Sequence, residues 1–424
     1  MIPLEAARAR ILAGLTPVGH ELVALERAHG RVLAVALSAR LTQPPAPLSA
    51  MDGYAVRAAE ACAGARLAVV GESRAGHGFH GDLPAAGAVR VSTGAVVPNG
   101  ADTVVMQENT TRADGEVVMH EAARPGRHIR AAGQDFQLGE TLIPAGSRLT
   151  ARRLGLAAAA NHPWLTVHRR PVVALLATGD ELANPGEPVP EGGVVSSNGA
   201  MLAALLRAAG AAPILLPIVP DDADALAEAL SRVAGADLLV TIGGASVGDH
   251  DLVRKVMAGQ GLHLDFWKVA MRPGKPLIHG RLGAMPVLGL PGNPVSAYVC
   301  AVVFLLPALA RLAGLRGADA PPGDAPLGDT RLGDTPLGDT LGDTLTPAIL
   351  GRALGANDQR AEFLRARLTR DASGQWRATP ATDQASSLLR VLAEADALIY
   401  RPPHAPAAAV GDPVSILRLD LPDP

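Results

Sequence analysis

Residues 172–177 read Val-Val-Ala-Leu-Leu-Ala, without a polar interruption. A strand with no polar alternate position has no face to offer water, so it belongs in a sheet covered on both sides, as parallel sheets are. The run 238–242, broken only by Thr241, reads as the next buried strand, and 277–280 and 287–290 as two further short strands. Helical spacing fills the intervals at 199–209, 223–233, 250–257 and from Asn293 towards residue 312. Asn198 and either Asp221 or Asp222 stand where helix caps are expected. This alternation predicts a doubly wound α/β domain over residues 169–315, and ligands of such sheets gather at the carboxyl ends of the strands.

The remaining chain is written differently. In 424 residues, 48% hydrophobic and 19% charged, there is material for several cores. Helical patterns at 4–13, 21–26 and 152–160 suggest a helical and extended linker domain, made of residues 1–40 and 133–168. Between its halves, β-prone runs at 67–70, 88–91, 103–107 and 116–120 alternate with glycine, proline and asparagine clusters, so residues 41–132 read as an inserted β-rich domain. Leu-Gly-Asp-Thr units begin at Leu327, Leu332, Leu337 and Leu341, and residues 316–347 read as a flexible repetitive linker. Strand-like runs at 363–368 and 414–419 give a small C-terminal β-domain over 348–424.

Several classes of function are disfavoured. A formal charge of -3 argues against a surface dominated by nucleic acid or anionic membrane. Two cysteines, Cys62 and Cys300, make neither a disulfide framework nor a multi-thiolate zinc site, and fit a reduced, cytoplasmic setting. The N-terminus lacks the layout of a secretory signal. The greasiest run, 295–312, is interrupted by Pro307 and reads as a buried helix.

The chemistry-bearing residues sit at the predicted strand ends. Gly243-Gly244-Ala245-Ser246-Val247-Gly248 follows the strand 238–242, where exposed N–H groups, a helix N-terminus and the Ser246 hydroxyl suit an anion. The spacing is neither the dinucleotide nor the Walker fingerprint. Asp249 and Asp251 follow that loop, and Asp180 and Glu181 follow the strand 172–177. Four acids beside a phosphate cradle would repel a polyanion unless a hard cation such as magnesium stood between them; capping is the competing use. His250 reads as a solvated loop residue, and no histidine spacing suits zinc. The chain has only three lysines, Lys255, Lys268 and Lys275. Two of them lie in Lys268-Val-Ala-Met-Arg272-Pro-Gly-Lys275-Pro, a proline-stiffened cationic loop suited to a small oxyanion. Pro291-Gly-Asn-Pro294-Val-Ser296 supplies another tight turn, with Ser296 in the first turn of a helix.

Taken in order, these motifs resemble those of the molybdopterin molybdenumtransferases, a family that includes the C-terminal domain of gephyrin, a receptor-clustering scaffold. Ser-Ala-Met-Asp-Gly-Tyr-Ala at 49–55, Ser-Thr-Gly-Ala at 92–95, Pro-Asn-Gly-Ala-Asp-Thr-Val-Val-Met-Gln-Glu at 98–108 and Gly-Gln-Asp-Phe at 133–136 resemble its N-terminal signature. Thr-Gly-Asp-Glu-Leu at 178–182, the glycine loop through Asp251, the lysine loop and Leu-Pro-Gly-Asn-Pro-Val-Ser at 290–296 resemble its central domain. The resemblance spans about residues 2–315 and continues weakly at Gln-Arg-Ala-Glu-Phe, 359–363.

The resemblance implies an elongated multidomain chain and an enzyme that inserts molybdate into adenylylated molybdopterin, releasing AMP, with magnesium. By similarity, Gly243, Gly244, Ser246 and Gly248 form the phosphate loop, joined at the ligand by Pro291 and Pro294. Glu181 and Asp251 orient magnesium. Lys268, Arg272, Lys275 and Ser296 hold anionic groups and molybdate, although the family commonly has lysine where Arg272 stands. Asp52, Thr93 and Asp135 are functional positions. Asp221 or Asp222 is another, as are Arg360 and one of Ser386 and Ser387. The family's homodimers complete each active site across the interface, and transient contact with the adenylyltransferase and with recipient molybdoenzymes follows; nucleic acid and membrane do not. Adenylylation of molybdopterin and a non-catalytic scaffold are the competing functions.

Overall fold

The computed structural model describes residues 1–243, 252–316, 341 and 344–419. Its centre is a six-stranded sheet in the order Ala212–Leu215, Val172–Ala177, Leu238–Ile242, Met285–Leu290, Pro276–Leu282, Leu262–Lys268. The first four strands are parallel; Pro276–Leu282 runs antiparallel to Met285–Leu290 through a hairpin at Gly283, whose φ is +59°, and Leu262–Lys268 runs antiparallel to Pro276–Leu282. Period-two alternation sends Val173, Leu175 and Ala177 towards Leu202 and Leu206 of the helix Asn198–Ala208. Ala174 and Leu176 face the other way, into a core with Leu226, Leu230 and Val253. Covering on both faces is what the unbroken apolar run required.

The helix Leu4–Ala13 was grouped on sequence with residues 133–168. It packs instead on the central domain, where Leu4, Ala7 and Ile11 join the main core and Ile2 bridges to Val269. Its Arg8 is 2% exposed and donates Nη1–H to the Val303 carbonyl at 2.6 Å. Val303 sits in the π-helical turn Ala301–Leu305, four residues before Pro307. Proline has no N–H, so that carbonyl lacks its ordinary helical donor, and the guanidinium replaces it. Arg8→Met keeps the apolar stem but removes this donor; a loss of about 1–3 kcal/mol is expected, read as a lower melting temperature. An unchanged melting point would show that the carbonyl finds another partner. Pro294–Leu312 is long and apolar enough to cross a membrane, but 89% of it is buried inside the fold.

Residues 21–26, expected to be helical, form the strand His20–Ala24 and a 3-10 turn at Leu25–Arg27. So short a helical pattern has little stability of its own, and pairing with Trp164–His168 prevails. Leu33, Leu37, Phe136, Ile143, Leu149 and Leu165 share one core across the two halves of this region. The helix Ala151–Ala159 is capped by Thr150, whose hydroxyl accepts from the Arg153 N–H. The intervening residues build a six-stranded sheet in the order Thr103–Met106, Gly53–Val56, Gly87–Val91, Arg66–Ser73, Glu116–Met119, Thr110–Ala113.

The C-terminal strands Thr346–Leu350, Ala361–Arg370, Trp376–Pro380, Ala397–Arg401 and Pro413–Arg418 close into a small barrel, because Ala361–Arg370 pairs with both Trp376–Pro380 and Ala397–Arg401. Met271–Arg272 of the central domain adds to it in parallel against Ala361–Glu362. Most of the repetitive tract lies outside the described residues, but its Leu341 is 1% exposed in the main core and the first barrel strand already begins at Thr346. Residues 346 and 347 therefore belong to the barrel and not to the linker expected through residue 347.

Candidate active site

Three parallel strands end side by side at Ala177, Ile242 and Leu290, and the loops leaving them wall a cavity of about 740 Å³. Two of these loops need a glycine. Gly179 has φ +146°, and a Cβ there would lie 2.5 Å from Glu181 Oε2, so the Glu181 carboxylate lies where any other residue would put its side chain. Gly243 has φ +87° and donates its N–H to the Leu290 carbonyl at 3.1 Å. Gly292 packs beside it, where a Cβ would make an ordinary contact of 3.7 Å with Gly243 Cα. Gly244, Ser246, Gly248, Asp249, His250 and Asp251 lie outside the described residues.

Glu181 and Asp221 both line this cavity. Asp222 does not: its Oδ1 accepts from the Ala225 N–H at 2.8 Å and caps the helix Ala223–Ser231. Asp221 is left to the cavity, with its own N–H donated to Asp180 Oδ1 at 3.1 Å. Burial, then repulsion from Asp180 and Glu181, pushes the Asp221 carboxyl above the ordinary carboxylate range. Among the described residues, no group of three or more histidine, cysteine or acidic side chains converges as a metal site. Pro291 and Pro294 complete the wall with Ser387. Asn198, expected as a cap, makes no side-chain cap bond; its Nδ2–H instead donates to the Gly292 carbonyl at 2.7 Å, holding the turn in place.

A second cavity of about 320 Å³ adjoins the first through Pro276. Lys275, Ser296 and Arg360 line it, with Arg272, Glu362 and Ser386. Ser296 is 5% exposed in the first turn of the helix Pro294–Cys300. The C-terminal barrel supplies Arg360 and Ser386, so this cavity exists only where the barrel meets the central domain. Asn293 Nδ2–H donates to Ser386 Oγ at 3.0 Å, and the Val295 N–H to the Ser386 carbonyl at 3.2 Å. The Ser386 loop is gripped from behind by Arg365, 1% exposed, which donates to Gln384 Oε1 at 3.1 Å and to the Ala385 carbonyl at 3.0 Å. Ser386 thus belongs to the small cavity and Ser387 to the large one.

Not every sequence candidate converges. Arg272 reaches the smaller cavity, but it is ion-paired there with Glu362, whose side chain is 13% exposed, and Asp358 stands 3.9 Å from it. Its charge is therefore engaged with the barrel. Lys268 lies opposite Pro276 in the sheet, lines neither cavity, and sets its ammonium 3.6 Å above the Trp267 ring. Asp52 and Thr93 form a local pair in the inserted domain: Asp52 Oδ1 accepts from the Thr93 N–H at 2.6 Å and its hydroxyl at 3.0 Å, which lowers the Asp52 carboxyl below its usual range. Neither they nor the exposed Asp135 line either cavity. Sequence reasoning missed Asn198, Asp358, Glu362 and Arg365, whose importance lies in contacts between distant segments.

The architecture defines a multidomain α/β protein whose ligand cleft opens at the carboxyl edge of a central sheet and is roofed on one side by a separate β-barrel. Known proteins share it throughout. Residues 2–161 match the family described as MoeA N-terminal region (domain I and II), 174–311 the probable molybdopterin binding domain, and 347–419 the MoeA C-terminal region (domain IV). The molybdopterin molybdenumtransferase of a Nostoc species is 41% identical over 304 residues, covering 70% of each chain. That of Haemophilus influenzae is 36% identical over 325 residues, 76% of this chain and 80% of its own. The crystal structure of a molybdopterin biosynthesis MoeA protein from Pyrococcus horikosii superposes with a TM-score of 0.81 at 27% identity, over 99% of both chains. The chain belongs to the molybdopterin molybdenumtransferase family, transferases of molybdenum cofactor biosynthesis.

Proposed function

We propose that this chain inserts molybdate into the dithiolene of adenylylated molybdopterin, yielding molybdenum cofactor and AMP in a magnesium-dependent reaction. The observation that carries this is the pair of adjoining cavities. The larger offers glycine backbone and carboxylates, as a phosphorylated pterin bridged by a cation requires. The smaller offers a compact ammonium, a guanidinium and two hydroxyls, which suit a tetrahedral dianion. The shared wall at Pro276 brings the two ligands together.

In this proposal, Gly243 with Gly244, Ser246 and Gly248 receives the phosphates, beside Pro291 and Pro294. Lys275, Ser296, Arg360 and Ser386 receive molybdate, and Lys268 adds positive potential from the adjoining strand. The donors present fit magnesium: Glu181 and Asp221 are hard oxygen ligands whose repulsion a divalent cation would relieve, with Asp251 as a further acid from the glycine loop. Bound there, magnesium would neutralise charge on the phosphates. Asp52, Thr93 and Asp135 would act on a second subunit's cleft in a homodimer. A cytoplasmic setting, with passing contact to the adenylyltransferase and to recipient molybdoenzymes, completes the proposal.

The test is to incubate the pure protein with adenylylated molybdopterin, magnesium and molybdate. AMP release that requires molybdate is expected. Consumption of ATP with free molybdopterin would assign the chain to the adenylylation step instead.

A further inference from the structure

The small cavity is ringed by opposed charges, and one of them is held with unusual completeness. Arg360 lines the cavity, and Asp358 grips it at three points. Asp358 Oδ2 accepts from the guanidinium Nη2 at 2.7 Å and Nε at 3.2 Å, while Oδ1 accepts from the Arg360 backbone N–H at 2.8 Å. The turn beneath is locked as well. Asn357, 9% exposed, accepts the Asp358 N–H on Oδ1 at 2.8 Å and donates Nδ2–H to the carbonyls of Arg360 and Pro402 at 2.8 and 2.9 Å. A long, rotamer-rich arginine would otherwise sample many positions, and ordering it on ligand binding costs affinity. Here its Nε edge is occupied by Asp358, which fixes the orientation of the planar group. The same pairing holds the Asp358 carboxyl down to about 2, so it remains an anion at any working pH.

We propose that Asp358 is a positioning residue for oxyanion binding: it touches no substrate, and it sets affinity for the tetrahedral dianion by presenting Arg360 to the small cavity. This rests on the insertion reading and names the means by which the C-terminal barrel tunes it. Asp358→Asn keeps shape and some hydrogen bonding but loses the charge that orients the guanidinium.

The experiment is a molybdate titration of AMP release by the full-length chain, comparing wild type, Asp358→Asn, Arg360→Ala and the double variant. Each single substitution should raise the half-saturating molybdate concentration about tenfold, with turnover at saturation kept within about threefold. The double variant should be no worse than Arg360→Ala alone, because Asp358's remaining partner, Arg272 at 3.9 Å, is already held by Glu362. A purely structural role predicts otherwise. If Asp358→Asn costs the same tenfold on the Arg360→Ala background, or lowers saturated turnover while half-saturation stays put, the proposal is overturned. Failure of the insertion reading looks different: wild-type AMP release would itself be indifferent to molybdate. Equilibrium dialysis of molybdate with the same four proteins then decides whether Asp358 and Arg360 act as a unit.

Discussion

On the proposed insertion reaction, Lys275→Ala is expected to raise the molybdate concentration needed for half-maximal AMP release by about ten- to hundredfold. The magnitude is that of one charge-assisted contact, about 1.5–3 kcal/mol. Its physical basis is the rigidity of the loop. The Lys275 carbonyl accepts from the Val269 N–H at 3.0 Å, Gly274 turns the chain at φ +103°, and the strand Pro276–Leu282 starts at the next residue. An ammonium held at a fixed place suits a compact dianion as a point charge, whereas a guanidinium prefers planar, forked partners. Lys275→Arg should recover only part of the loss. Binding of the adenylylated pterin should change less, since the glycine turns of the larger cavity carry it. A variant that weakens pterin binding and leaves the molybdate requirement alone would move Lys275 out of the oxyanion site.

Gly274→Ala should be more damaging than any change of charge, removing molybdate-dependent AMP release by more than about a hundredfold. A φ of +103° strains any residue with a Cβ, by about 1–3 kcal/mol. The new Cβ would also meet Cys300 Sγ at 2.4 Å and Met271 Cε at 3.2 Å. Cys300 is wholly buried, with its thiol pushed up by desolvation, and has no room to retreat. The Lys275 loop must therefore shift, carrying the ammonium away from Ser296 and Arg360. Cys300→Ala in the same chain removes the overlapping sulfur but not the backbone strain, so the double variant should regain some activity and remain well below wild type. Wild-type kinetics in Gly274→Ala would show that the loop does not need its observed turn.

What could be read from the chain, and what could not, divides along physical lines. The unbroken apolar strand Val172–Ala177 announces a two-sided sheet, and Leu238–Ile242, interrupted only by Thr241, follows it. The turns after them are marked by glycine, so the edge of the sheet that carries the larger cavity was legible. At the antiparallel edge only the middle of Pro276–Leu282 was legible: Leu262–Lys268 is rich in polar residues, and the direction of Pro276–Leu282 is set by the turn at Gly283. His20–Ala24 reads as a helical fragment until its partner at Trp164–His168 is seen. Asp221 and Asp222 are interchangeable in sequence; only the cap on Ala225 separates them. Arg8, Arg365 and Asn357 are the hardest cases. Residues of these types normally face solvent, and nothing local marks these as buried donors to distant carbonyls, that of Pro402 for Asn357. The smaller cavity inherits that difficulty, because about half its wall comes from a barrel separated from Lys275 by the repetitive tract.

The central claim is that molybdate has its own cavity, walled by the lysine loop and the C-terminal barrel. Crystals of the full-length chain soaked in molybdate, with anomalous scattering recorded at the molybdenum edge, test it directly. The account predicts a single strong peak within hydrogen-bonding reach of Lys275, Ser296, Arg360 and Ser386. A peak confined to the larger cavity, beside Gly243 and Asn293, would contradict it.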